Sequence, residues 1–187
     1  MSMDFNDAES NSGFDLIPLG TVCPLIMTIR PGSVGDGGWE TTSDKSDYSW
    51  LNVELTVTSG QYKGRKIWQN MMSGHPDAEN KAVNITRSTL RGILESARGI
   101  KPDDMSEAAK TKRIVKGYGD FSGLEFTGKI GIEKGSDGYA DKNKLLTPVP
   151  ATAADNAVFP AVAKASQAAN ANVNATAKGG AVPAWAA

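Results

Sequence analysis

The sequence has a single cysteine, Cys23, and a single histidine, His75. One cysteine excludes an internal disulfide framework, so a reducing compartment is the default. Cys23 stands in an apolar run, which indicates a small buried side chain rather than a nucleophile. One histidine and one cysteine also exclude a zinc site built from those ligands alone. We therefore expect no metal and no cofactor.

Long apolar runs are also missing. None approaches the roughly 20 residues that span a bilayer. The opening residues MSMDFNDAES have neither the cationic region nor the apolar core of a signal peptide. We expect no membrane association and a cytoplasmic location. A phosphate-binding glycine motif is absent too, because GQYKGRK lacks the required spacing.

The chain has little net charge, −1 over 187 residues, but the two signs are unevenly placed. Residues 1–47 carry eight acids and two bases, whereas residues 48–149 carry sixteen bases and twelve acids. The middle of the chain is therefore mildly basic and the N-terminal part clearly acidic. This asymmetry favours a face for nucleic acid in the middle segment.

Alternating apolar residues predict three strands in the first half of the chain. The second strand is the clearest, because every second side chain from Leu51 to Val57 is apolar and should enter a core. A first strand is predicted within residues 14–32 and a third within residues 66–72. The Gly-, Ser- and Asp-rich segment 33–47 predicts a loop, which carries an exposed Trp39.

The second half predicts one main helix and two further strands. Apolar side chains recur at the helical period between Ala78 and Ala97, and Gly99 supplies a stop. Residues 101–115 predict a short second helix with Pro102 at its beginning. The last two strands are predicted at residues 124–135 and 144–150.

The order of three strands, a helix and two strands is that of an OB-fold barrel. The predicted fold is therefore mainly β, a five-stranded OB-fold-like barrel with one main helix after strand 3. We expect a flexible acidic N-terminus at residues 1–13, the barrel domain at 14–150 and a disordered Ala/Asn-rich tail at 151–187. Contact with single strands is the commonest use of this barrel, although a fold alone does not fix function.

Aromatic and cationic side chains gather around the hairpin that joins the second and third strands. Tyr48 and Trp50 alternate with the apolar set of the second strand, so they should lie on the outer wall. Aromatic rings stack unpaired bases, at roughly 1–3 kcal/mol per base, while cations hold the phosphates. The candidate nucleic-acid-binding residues are Tyr48, Trp50, Tyr62, Lys63, Arg65, Lys66, Trp68, Arg87 and Arg91.

Other interpretations of the same residues stay open. A covering helix or loop would also explain Tyr48 and Trp50, and Trp68 is equally well a core residue or a stacking residue. The aromatic face could instead dock a protein, which makes a protein-interaction module the first alternative function. The second is a small nuclease that uses His75 with nearby carboxylates, although a single histidine in SGHPD is typical of a turn.

Three motifs resemble one known family. FDLIPLGTV (14–22), LNVELTVTSGQYKGRKIWQNM (51–71) and LEFTGKIGIEKG (124–135) are similar to the opening, the centre and a later strand of small phage-encoded OB-fold proteins. That family is catalogued as a domain of unknown function, and its members are regarded as single-stranded-DNA-binding proteins. The central motif is the most specific. The chain departs from the family at Val22, where an aromatic residue is usual.

The resemblance implies a non-enzymatic protein that coats single-stranded DNA during phage replication or recombination, in the cytoplasm of the host cell. A single barrel has a short footprint, so a homodimer or a cooperative array is expected. Phage or host replication and recombination proteins would be further partners through the tail. Phe159 and Trp185 are the candidate anchors there, and the alternative is a spacer with incidental aromatics.

Overall fold

The computed structural model describes residues 6, 15–43, 46–136 and 138–150. Most of the predicted acidic segment 1–13 and the whole predicted tail, with Phe159 and Trp185, lie outside the described residues. The elements are β1 (Val22–Arg30), β2 (Glu40–Ser43), β3 (Ser46–Val57), β4 (Lys66–Gly74), α1 (Lys81–Arg98), α2 (Glu107–Lys112), β5 (Glu125–Glu133) and β6 (Lys142–Pro148).

The strands form one antiparallel sheet in which β1 lies between β3 and β5. β4 pairs with the far edge of β3, and β6 pairs with the far edge of β5. The prediction of a mainly β fold with one main helix is confirmed. No backbone ladder joins β4 to β6 within the described residues, so a closed barrel is not confirmed. A side-chain hydrogen bond bridges the two strands instead: the N–H of Leu145 donates to Gln69 Oε1 at 3.0 Å.

The sheet has six strands rather than five, because β2 lies in the segment predicted as a loop. β2 pairs with the first half of β3 and β1 with the second half, and β4 occupies the opposite edge of β3. β2 therefore continues the line of β1 after a short excursion of the chain. Trp39, predicted as exposed, is half-buried and packs against the core, so that prediction is wrong.

The core lies on the inner face of this sheet. Every second residue of β3 from Leu51 to Val57 is at most 2% exposed, as the alternation predicted. β1, β4 and β5 contribute their own alternate residues, and Ile17 closes the core with no exposed surface. Cys23 is buried as predicted, and burial raises the pKa of its thiol.

α1 packs on β4, β5 and β6 through the predicted apolar stripe, whose Leu90, Ile93 and Leu94 are buried. Its ends follow from local chemistry. The side chain of Asn80 accepts hydrogen bonds from two backbone N–H groups of the first turn, and Gly99 ends the helix in the left-handed conformation (φ 65°). The second helix is shorter than predicted: α2 begins after Ser106, which caps it, and not at Pro102.

Two glycines shape the turn between β3 and β4. Gly60 and Gly64 have φ of 81° and 84°, a region that costs glycine little and other residues more. The N–H of Gly64 donates to Val57 O at 2.8 Å, and the N–H of Val57 donates to Arg65 O at 2.9 Å. The turn therefore fixes the register of β3 against β4.

Candidate functional site

The outer surface of β1, β3 and β4 brings together four of the nine predicted binding residues: Tyr48, Trp50, Lys66 and Trp68. Side chains alternate across a strand, so burial of the Leu51–Val57 set turns its neighbours outward. The register pairs Glu54 with Trp68 and Asn52 with Asn70, which places them in adjacent rows. We call this surface the outer strip. It comprises Arg30, Tyr48, Trp50, Asn52, Glu54, Lys66, Trp68, Asn70 and Met72.

Trp68 lies on the outer strip and not in the core. Its exposed fraction is 58%, whereas its neighbours Ile67 and Met71 are 2% and 3% exposed. The two alternatives that the sequence left open for Trp68 are thereby decided. Tyr48, 41% exposed, and the partly exposed Trp50 share the same surface. Exposed aromatics framed by polar groups are typical of an interaction surface.

A nearly buried carboxylate organises the cations of the outer strip. Glu54 is 6% exposed; Arg30 Nη2 donates to its Oε2, and Lys66 Nζ lies 2.6 Å from its Oε1. The hydrogen bonds from Lys66 and then Arg30 lower the pKa of Glu54 from 4.5 to about 2, although burial acts in the opposite direction. Two cations held by one anion leave a local charge of +1 in fixed positions.

Trp50 is held in place by a short polar chain. Its indole Nε1–H donates to Asn52 Oδ1 at 3.1 Å, and Asn52 Nδ2 donates to Thr41 Oγ1 at 2.7 Å. Thr41 belongs to β2, so the strand that the sequence did not predict supplies this support. The ring is therefore positioned before any ligand arrives, which reduces the entropy that binding must overcome.

Tyr48 is stacked on His75 at the far end of the outer strip. Their ring centroids are 4.7 Å apart and the planes are 16° from parallel. His75 Nδ1 accepts the backbone N–H of Asp77 at 2.9 Å, the geometry of a turn. Within the described residues no group of three or more His, Cys, Asp or Glu side chains is arranged to hold a metal ion.

The hairpin residues divide into two groups. Lys63 is exposed at the tip. Tyr62 is half-buried and packs against the core, while Arg65 Nη2 donates to Asp15 O at 2.7 Å. Tyr62 and Arg65 therefore help to hold the turn and residue 15 in place. Of the three cations of the hairpin, Lys63 and Lys66 are more exposed to solvent than Arg65.

The two predicted arginines of α1 lie away from the hairpin. Arg91 Nε is 2.8 Å from Glu95 Oε1, and its Nη2 donates to Pro102 O at 3.1 Å. It links α1 to the following loop. Arg87 is exposed, and within the described chain its side chain makes no hydrogen bond or salt bridge.

Arg87 lines a cleft of about 440 Å³ between α1 and the loop before β5. Met72 belongs both to this cleft and to the outer strip, since it is the register partner of Trp50. Tyr118 forms the opposite wall of the cleft. Burial raises the pKa of its phenol, and the negative charge of Glu40 raises it further. The outer strip and the cleft therefore share Met72.

Sequence reasoning missed the polar residues around Trp68. Arg30, Asn52, Trp68 and Asn70 line a depression of about 450 Å³ in the middle of the outer strip. Asn52 and Asn70 have the same parity as Trp50 and Trp68, so alternation could have found them once Trp68 was assigned to the outer face. Arg30 ends β1, and only the pairing of β1 with β3 brings it beside Glu54.

No protein-family model and no curated protein matches this chain. The resemblance of the segment 51–71 to phage single-stranded-DNA-binding proteins therefore stays a prediction. Within the described residues, neither helix combines the length and the apolar character needed to cross a membrane.

Proposed function

We propose that the outer strip binds single-stranded DNA, largely without sequence preference. The observation that carries this proposal is the position of Trp68, which is 58% exposed next to cations held by Glu54. A site for single-stranded nucleic acid requires an aromatic ring that stacks a base and, beside it, cations that bind the phosphates. Coating of exposed strands during phage replication or recombination is the biological role that the motif resemblance favours.

The dimensions of the outer strip suit a few nucleotides. Tyr48 and Glu54 are six residues apart on β3, or about 20 Å at roughly 3.3 Å per residue. Trp50 lies between those limits, and Trp68 lies opposite Glu54 on the neighbouring strand, so each ring can stack a different base. A footprint this short gives modest affinity, and we propose that a homodimer or a cooperative array increases it.

The strand order supports the same proposal. The strands pair in the order β4–β3–β1–β5–β6, and α1 follows β4 in the chain. This is the connectivity of an OB fold without the pairing of β4 with β6 that would close the barrel. We propose that the chain is an OB-fold relative in which β2 is an addition. OB folds bind oligonucleotides on the face of their second and third strands, which correspond to β3 and β4 here. The outer strip occupies that face.

The test is a titration of labelled oligo-dT followed by fluorescence anisotropy. Trp68→Ala should weaken binding about 5- to 150-fold, equivalent to roughly 1–3 kcal/mol for one stacked base. Tyr139→Ala is the matched control, because Tyr139 is an aromatic residue with 80% exposure outside the outer strip. Equal affinities of Trp68→Ala and the unmodified protein would refute stacking at this position.

Salt separates DNA binding from the protein-interaction alternative. If Arg30, Lys63 and Lys66 each contact a phosphate, log Kd should change with log[salt] with a slope of about 2, since each contact to a single strand contributes about 0.7. A protein partner docked on the same aromatics would show a much weaker salt dependence. Measurement at four salt concentrations is sufficient, and a flat response would favour the interaction module.

A further inference from the structure

Asn70 lies in the depression beside Trp68 with an unused amide. It is exposed, and no hydrogen bond engages its side chain within the described part of the protein. An amide offers two N–H donors and a carbonyl acceptor side by side. Stacking and phosphate contacts need neither of these groups, so the proposed function leaves Asn70 without a role.

Asn52, the register partner of Asn70, is fixed in orientation. Its Oδ1 must face Trp50, because the indole Nε1 is only a donor, and its Nδ2 faces Thr41. Each of the two Asn52 atoms keeps one further bonding site. The two asparagines are directly opposite on β3 and β4, so their Cβ atoms are about 4.5–5.5 Å apart.

The spacing along the strands brings this pair under a stacked base. The Asn52–Asn70 row is two residues from the Glu54–Trp68 row, or about 7 Å. A ring stacked on Trp68 lies about 3.5–4 Å from it, at van der Waals distance. The edge of that base would therefore be within reach of the Asn70 amide, and Arg30 borders the same depression.

We propose that this depression reads the hydrogen-bonding edge of one base through Asn70, with Asn52 in support. The inference rests on the proposed function and deepens it: most of the outer strip holds a strand by stacking and charge, whereas one subsite is sensitive to what the base edge offers. The ligand class is a nucleobase with adjacent donor and acceptor groups. Such bidentate contacts are the usual means by which asparagine recognises a base.

The test uses a thymine isostere that keeps the ring shape but cannot form hydrogen bonds, the difluorotoluene nucleotide. A short oligomer made entirely of the isostere prevents the strand from sliding a normal base into the subsite. The unmodified protein should bind it about 5-fold or more weaker than oligo-dT, the lower range for a bidentate contact. In Asn70→Ala the ratio should fall close to one, and the double comparison cancels any change in stacking.

Asn84→Ala is the control, an exposed asparagine on α1 that should leave the ratio unchanged. Thermal unfolding of each variant establishes that it is folded. Equal isostere ratios for the unmodified protein and Asn70→Ala would overturn base reading while leaving single-strand binding intact. Failure of the unmodified protein to bind oligo-dT at all would overturn the proposed function and this inference together.

Discussion

Replacement of Glu54 by glutamine removes the carboxylate that holds Arg30 and Lys66 on the outer strip. The side chain of Glu54 is 8% exposed, and each of its oxygens bonds one cation. Glutamine keeps the shape but offers a single neutral acceptor and two donors that face the cations. We expect Glu54→Gln to lower the free energy of unfolding at neutral pH.

The magnitude follows from the pKa. A fall from 4.5 to about 2 in the folded protein corresponds to about 3.4 kcal/mol before screening. The partners are 60% and 47% exposed, so water weakens both pairs, and we expect a loss of about 1–2 kcal/mol. Because the folded pKa is lowered, this stability is present above pH 4.5 and is lost as the pH falls towards 2.

Urea unfolding of both proteins at pH 7, 5, 4 and 3 measures this difference. The gap between the unmodified protein and Glu54→Gln should be constant from pH 7 to 5 and shrink to less than half by about pH 3. Glu107→Gln is the control, because Glu107 is 89% exposed in its pair with Lys110 and should change stability by less than about 0.5 kcal/mol. A gap of the same size at pH 7 and pH 3 would refute the reasoning.

Two further predictions concern Arg113, which directly follows α2, and Arg87 on α1. Arg113→Ala should lower the free energy of unfolding in urea by about 2–4 kcal/mol, because the side chain of Glu95, 7% exposed, then keeps only its pair with the half-exposed Arg91. Arg91→Ala should lower it clearly less. A larger loss for Arg91→Ala than for Arg113→Ala would contradict this. Arg87→Ala should weaken oligo-dT binding several-fold and reduce the salt slope by about 0.7 if the strand continues into the cleft. Lys81→Ala, on the same helix outside the cleft, should do neither, and equal effects of the two changes would rule out that path.

Much of the fold could be predicted because its signals are local. The alternation from Leu51 to Val57, the stripe of α1, the cap at Gly99 and the glycines of the β3–β4 turn each depend on residues close in sequence. Local chemistry decided each of these features, and tertiary contacts reinforced it. Tyr48 and Trp50 could be assigned to the outer face for the same reason.

The position of Trp68 could not be predicted in this way. Both faces of β4 carry large apolar residues, Ile67 and Met71 on one and Trp68 and Met72 on the other. The register with β3 decided the matter, because Leu55 and Leu51 are the partners of Ile67 and Met71 and draw them into the core. Pairing between distant segments therefore chose the face.

By itself the sequence determined where most strands and the main helix lie and which aromatic residues of β3 point away from the core. Hydrophobic periodicity and turn chemistry are properties of neighbouring residues, so no distant contact was needed. Only the tertiary structure decided that the polar segment Glu40–Ser43 is a strand and that Arg30 meets Glu54 across 24 positions of sequence. It also paired Asn52 with Asn70 across β3 and β4, in the row next to the one that contains Trp68. Such groups meet because strand pairing brings distant residues into register, and no local pattern records which distant residue will be the partner.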